Sequence, residues 1–155
     1  MLSIKKILCP TDFSEKSYRA LEKAAEFADH FAAELIVAHV VAPVPTVSVA
    51  THPAAFDVTD YQKHLYDESE KALKDVVKKK VPKSLKVRPM VVEGNPADKI
   101  NEIAEEESAD LIILSTHGHS AIGQFIFGSV ADRVVRHAGR PVMTIRATPS
   151  PQMET

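Results

Sequence analysis

The sequence predicts an α/β domain: a five-stranded parallel sheet with helices on both faces. Three observations carry this reading. Five short apolar runs alternate with four amphipathic stretches along the 155 residues, the pattern of successive strand–helix units. Two of those runs, residues 35–41 and 110–115, are almost continuously apolar, as strands covered on both faces must be. Prolines and helix-capping residues punctuate the joints, and parallel neighbours require right-handed crossovers that place helices on both sides of the sheet.

The elements follow in order. Residues 4–9 read as the first strand, which Pro10 ends. Ser14 is placed to cap a helix on which Tyr18, Leu21, Ala24, Ala25, Ala28 and Phe31 recur at helical spacing. Residues 35–41 form the second strand. The charge-free run from 35 to 56 has the length of a membrane span. Pro43, Pro45 and Pro53 would break such a helix. Residues 41–56 are therefore expected to be a loop, serving as a lid, as a docking patch, or without a role. Thr59 and Gln62 have capping-box spacing. Tyr61, Leu65, Ala72, Leu73, Val76 and Val77 then lie along one face of a helix ended by Pro82. Residues 85–92 give a third strand, and Pro89 within it points to a sheet edge. Asn95 and Pro96 are an N-cap and a first helical residue, with Ile100, Ile103 and Ala104 on the buried side. Residues 110–115 are the fourth strand and 116–128 a loop or turn. A helix over about 129–138 and a strand over 141–146 complete a single domain, 1–147, with a flexible tail over 148–155.

Composition narrows the function. Hydrophobic residues at 45% and charged residues at 26% argue for a folded domain rather than a disordered chain. A net charge of −2 provides no basic field to hold nucleic acid. One cysteine excludes an intramolecular disulfide, and the N-terminal segment lacks a secretory hydrophobic region. A cytoplasmic protein without a membrane span is expected.

In doubly wound sheets ligands sit at the carboxyl ends of strands, where the winding reverses. With strand 1 central, that point lies between strands 1 and 4, beside Pro10, Thr11 and Asp12 on one side and Thr116, His117 and Gly118 on the other. Gly118, Gly123 and Gly128 fall within eleven positions. Gly128-Ser129 opens a helix whose first amides and dipole suit an anion. Ser129 is placed either to cap that helix, with Asp132 three residues on, or to turn its hydroxyl to a phosphate. Spacing serves a ligand site and a plain capped helix equally. Asp12 is placed to accept from ribose hydroxyls or, as a helix-start acid, to complement the dipole. His117 and His119 alone are a weak zinc pattern. Cys9 is expected to pack as a small apolar residue.

Here the residues resemble a known family. Lys6-Ile-Leu-Cys-Pro-Thr-Asp-Phe-Ser14, Leu35-Ile-Val-Ala-His-Val40, Asp110-Leu-Ile-Ile-Leu-Ser-Thr-His-Gly118, Gly128-Ser-Val-Ala-Asp-Arg-Val-Val-Arg-His137 and Arg140-Pro-Val142 match, in order and spacing, the universal stress protein family over residues 3 to 147. The resemblance implies a Rossmann-like sheet of order 3-2-1-4-5, akin to the adenine nucleotide alpha hydrolases. It further implies a homodimer paired through strand 5, with Val142 and Ile145 at the contact. The family's nucleotide-binding branch holds ATP through Gly-x2-Gly-x9-Gly-Ser/Thr. Here Gly118, Gly128 and Ser129 fit that pattern, while Ser115 stands at the first glycine. The serine's Cβ would crowd a ribose or phosphate, or its hydroxyl would bond one. By the same resemblance Pro10 and Thr11 shape the adenine pocket, Asp12 meets the ribose, and Val40 offers backbone groups to the base. His117 and Val130 lie near the phosphates, and Mg2+ or Mn2+ would be held mainly by nucleotide and water.

The expected function is an ATP-, ADP- or AMP-binding stress-response regulator, non-catalytic or a very slow ATPase. No P-loop lysine segment occurs, and no evident base stands ready to activate water. Two other classes are a ligand-free dimeric interaction module, which Ser115 keeps open, and an ATP-dependent hydrolase or transferase using His117 as acid and base.

Overall fold

The computed structural model describes residues 2–45, 57–116 and 127–146. Its elements run β1 (Lys6–Pro10), α1 (Glu15–Phe31), β2 (Glu34–Val41), α2 (Val58–Lys80), β3 (Val87–Glu93), α3 (Pro96–Glu106), β4 (Leu111–Ser115), α4 (Ser129–His137) and β5 (Val142–Ile145). The strands form one parallel sheet of order β3-β2-β1-β4-β5, as expected. The tail expected from residue 148 and most of the 41–56 loop lie outside the described residues.

Strict alternation along the inner strands builds two cores. Ile7 and Cys9 of β1, Leu35 and Val37 of β2, and Leu111 and Ile113 of β4 pack with α1 and α2 on one face. Their neighbours Leu8, Ile36, Ala38, Ile112 and Leu114 pack with α3 and α4 on the other. The central positions of each inner strand are therefore apolar on both faces, which is why the sequence shows runs rather than a period of two. β3 and β5 are edges and only half-buried, apart from exposed residues in β3. Pro89 is thus tolerated, because an edge strand need not donate on its outer side.

The helix starts match expectation at α1 and α3 and differ at α2, while at α4 the cap is not Ser129, one of the two roles open to it. Ser14 caps α1 by accepting from the Ser17 amide, and Asn95 caps α3 with Pro96 in its first turn. The α2 cap is Asp57, not Thr59: its carboxylate accepts from the amides of Thr59 and Asp60 at 3.0 and 3.3 Å. A charged acceptor two residues earlier starts the helix sooner, takes the Thr59 amide that Gln62 would have bonded in a capping box, and complements the dipole. Gln62 is released to bind the segment leaving β2, accepting from Val44 N–H at 3.0 Å. At α4 the cap is Gly128, with no side-chain hydrogen bond.

A charge network closes the amino-terminal end of the sheet, opposite the carboxyl ends of the strands. Arg88 on edge strand β3 pairs with Glu34 of β2, at 3.1 Å, and with Glu107 after α3. Lys86 adds to Glu34 at 3.0 Å. Asp110 accepts from the backbone amides of Lys5 and Lys6 at 2.8 and 3.0 Å, tying β1 to the approach of β4. Lys86 chiefly, then Arg88, holds Glu34 below the usual carboxylate range; Arg88 does so for Glu107 and the Lys5 amide for Asp110.

Because these carboxylates bind protons less readily folded than unfolded, their stabilisation is complete above the ordinary carboxylate range. It is lost as pH falls through the depressed native values. Arg88→Met is expected to lower unfolding free energy by about 1 kcal/mol and to flatten the loss of stability below about pH 5. Urea titrations of parent and variant across that range measure both effects.

Candidate functional site

The β1–β2 ladder ends at Pro10↔Ala38, whereas β2–β3 continues to Val41↔Glu93. β1 and β4 pair only at Ile7↔Leu111 and Leu8↔Ile112. Beyond these pairs the chain leaves β1 toward α1 on one face, while α4, which follows β4, lies on the other. A cavity of about 210 Å³ opens at this divergence. Eight of the ten expected site residues line it: Pro10, Thr11, Asp12, Val40, Ser115, Gly128, Ser129 and Val130. His117 and Gly118 lie outside the described residues.

The wall at β2 follows from the hydrogen-bond alternation. Glu34 N–H donates to Lys5 and Ala38 accepts from Thr11 N–H, both across to the β1 side, whereas Leu35 and Val41 bond on the β3 side. Val40, two residues past Ala38, therefore turns its peptide groups to the β1 side beyond the end of that ladder. That is the position from which a backbone can read a ligand's edge.

Asp12 is held by a tight turn. Its Oδ1 accepts from the Ser14 amide at 3.0 Å and from the Ser14 hydroxyl. Phe13 takes a φ of 64°, a conformation uncommon for a bulky residue, and its amide donates to Thr11 Oγ1 at 3.1 Å. Ser17 Oγ donates to Ser14 O at 2.8 Å, so the buried 2.8 Å contact between Thr11 and Ser17 has Thr11 as donor. This chain gives partners to the Thr11, Ser14 and Ser17 hydroxyls and to the Phe13 and Ser17 amides.

On the far side, the start of α4 lines the cavity, with half-buried Gly128 and exposed Ser129. Gly128 N–H donates to Thr116 O, and Thr116 N–H to Ile145 O at 3.1 Å. The helix start is thereby tied to the ends of β4 and β5. Gly128 sits at φ −57°, so its value there is its lack of a side chain rather than a left-handed backbone. Ser115 is half-buried at the end of β4.

Several lining residues escaped the sequence reading: His39, Ser17, Pro96 and Ile100. Ile100 reads as ordinary helix core, and Pro96 as a helix start. Only the return of β3 to the sheet edge brings the first turn of α3 over the cavity. His39 carried a signal, as the one ionisable side chain within the apolar run 35–41. Burial lowers its pKa, opposed by the Thr11 carbonyl and Asp12. Cys9 is fully buried, and its thiol is pushed up to about 12 by burial, so it packs without nucleophilic character. No lysine or arginine lines the cavity among the described residues. No group of three metal-ligating side chains occurs among them either.

The Universal stress protein family pattern matches residues 3–146. The chain belongs to this family. Universal stress protein MJ0531 of Methanocaldococcus jannaschii is 36% identical over 142 residues, covering 92% of this chain and 82% of the relative. The solved structure of MJ0577 from the same archaeon superposes with a TM-score of 0.81 at 30% identity, covering 96% of this chain and all of the other. A universal stress protein from Archaeoglobus fulgidus, solved in complex with dAMP, shares the fold at a TM-score of 0.60 and 22% identity, covering 93% and 98%.

Thr11→Val tests the turn of this family member. It removes the acceptor of the Phe13 amide and the donor to Ser17, and is expected to cost about 1–3 kcal/mol of stability. Chemical denaturation against the parent measures the loss; an unchanged midpoint would contradict the hydroxyl chain.

Proposed function

We propose that this protein is an adenine-nucleotide-binding regulator that binds ATP, ADP or AMP without efficient turnover. One observation carries the reading: Asp12, the peptide groups of Val40 and the first turn of α4 converge on one cavity at the switch point of the sheet. Asp12 accepts from the ribose hydroxyls, Val40 meets the base edge, and Gly128 and Ser129 receive the phosphates at the helix start. Pro10, Thr11 and Val130 complete the walls, and Ser115 directs its hydroxyl to the sugar or phosphates. His117 and Gly118 belong with the phosphates on the pattern of the family. The Archaeoglobus fulgidus protein of this fold is in complex with dAMP, a ligand of the same class.

The donor set suits a divalent ion only as a companion of the phosphates. Asp12 is the one carboxylate lining the cavity among the described residues, so Mg2+ or Mn2+ would take its ligands mainly from nucleotide and water. No cationic side chain faces the cavity from those residues. The described residues therefore supply none of the cationic stabilisation that efficient phosphoryl transfer uses, which favours a bound-state switch over catalysis.

Freshly purified protein, denatured and analysed by mass spectrometry, is expected to release an adenine nucleotide. Asp12→Ala should weaken AMP binding by about tenfold, or roughly 1.4 kcal/mol, and Gly128→Val should abolish it in a folded protein. Titration calorimetry reads both, and a Gly128→Val variant that binds like its parent would sink the assignment.

The proposal extends to assembly. β5 is an edge strand whose Val142 and Ile145 are half-buried against opposite cores, and such an edge pairs readily with a second copy. Light scattering at micromolar concentration should give twice the subunit mass, and Val142→Lys should give one subunit.

A further inference from the structure

His39 stands at the seam between the cavity and the turn that carries Asp12. Its Nδ1 lies 2.8 Å from the Thr11 carbonyl oxygen. A carbonyl only accepts, so Nδ1 bears the hydrogen and the neutral ring keeps its acceptor at Nε2. Thr11 N–H already donates to Ala38 O at 2.8 Å. Both peptide groups of Thr11 are therefore fastened to β2, one by backbone and the other by this side chain. The next two residues are Asp12 and Phe13, and Phe13 holds the positive φ of 64°. Its ring lies against the His39 imidazole with centroids 4.3 Å apart and planes tilted by 35°. One side chain thus fixes the turn at both ends, by a hydrogen bond before Asp12 and a ring contact after it.

A positive φ at a bulky residue persists only where its surroundings over-determine it. Here those surroundings are the Thr11 hydroxyl bond to the Phe13 amide and the His39 ring. An aliphatic residue at position 39 would pack in the strand and leave the Thr11 carbonyl without this donor. The histidine is half-buried and lines the cavity, and burial favours its neutral form.

We propose that His39 is a positioning residue for ligand binding, holding the Thr11–Phe13 turn so that the Asp12 carboxylate meets the ribose hydroxyls. The proposal rests on the nucleotide reading of the cavity and adds a residue which acts through Asp12 rather than on the ligand. His39 therefore governs the sugar's share of affinity, leaving the contacts of the base and phosphates in place.

Three variants and two ligands test it, each variant first checked for a parent-like circular dichroism spectrum and cooperative melting. The parent should prefer AMP over 2′-deoxy-AMP. His39→Ala should lose about tenfold in AMP affinity and much of that preference. His39→Asn, whose amide can still donate to the Thr11 carbonyl, should recover to within about threefold of the parent. His39→Phe, which keeps a ring beside Phe13 without a donor, should remain weak. In a double-mutant cycle with Asp12→Ala the losses should fail to add, as for residues acting through one contact. Intact sugar preference in His39→Phe, or additive losses in the cycle, would overturn the inference while leaving nucleotide binding in place. A parent that binds neither nucleotide would overturn the nucleotide reading itself. Because Asn places an amide donor where Nδ1 of His39 stands, its recovery or failure decides the role even if His39→Ala does not fold.

Discussion

The early parting of β1 and β4 is the constraint from which the functional end of the molecule follows. They share only two register pairs, at Ile7 and Leu8, after which the chain from β1 enters α1 and the helix following β4 packs on the opposite face. No side chain from a continuing strand can fill the space between them. The peptide groups at the open end of β2 then face a crevice instead of a ladder. Gly128 at the start of α4 and Asp12 at the start of α1 are carried to its two sides by the same divergence. A ladder extended by two more residues would close the cavity and bury the turn.

The two ends of the sheet use polarity differently. At the amino-terminal end, Arg88, Glu34, Glu107, Lys86 and Asp110 satisfy one another and backbone amides, fastening an edge strand that buries little of its own surface. At the carboxyl end the polar groups lining the cavity are, among the described residues, neutral hydroxyls, peptide groups, one carboxylate and one imidazole. The first arrangement is an ion-pair network that fixes geometry. The second leaves hydrogen-bonding surface facing a concavity, which is the property a binding site needs. Residues that hold the turn, such as Thr11 and Ser17, are themselves buried and mutually bonded, so the carboxylate they present is preorganised.

Membership of the universal stress protein family accords with this division, since the matched segments run from the first strand to the fifth. Ser115 is where the chain departs from the glycine pattern of the family's nucleotide-binding branch. It sits half-buried at the end of β4, and its neighbour Thr116 ties that strand end to β5 and to Gly128.

The sequence by itself determined the number and order of the elements, because buried parallel strands must be apolar throughout and helix starts carry local caps. Ser14, Asn95 and Pro96 act within a few residues of where they stand, so their roles were legible without a fold. Pro89 likewise marked an edge, since a missing donor has few permitted places. The cap of α2 was misread because Asp57 and Gln62 are both placed to accept from the Thr59 amide, and only the folded backbone decides where the helix begins. Of the residues lining the cavity, Asp12, Gly128 and Ser129 were legible from strand ends and spacing, and Val40 only from the family resemblance. His39, Ser17, Pro96 and Ile100 were not. Their part depends on distances between segments far apart in the chain: the Thr11 carbonyl beneath an imidazole 28 residues away, and a helix start brought over the crevice by the edge strand before it. Local sequence encodes which conformation a segment prefers. Only the packed sheet determines which segments become neighbours, and so which side chains share a cavity.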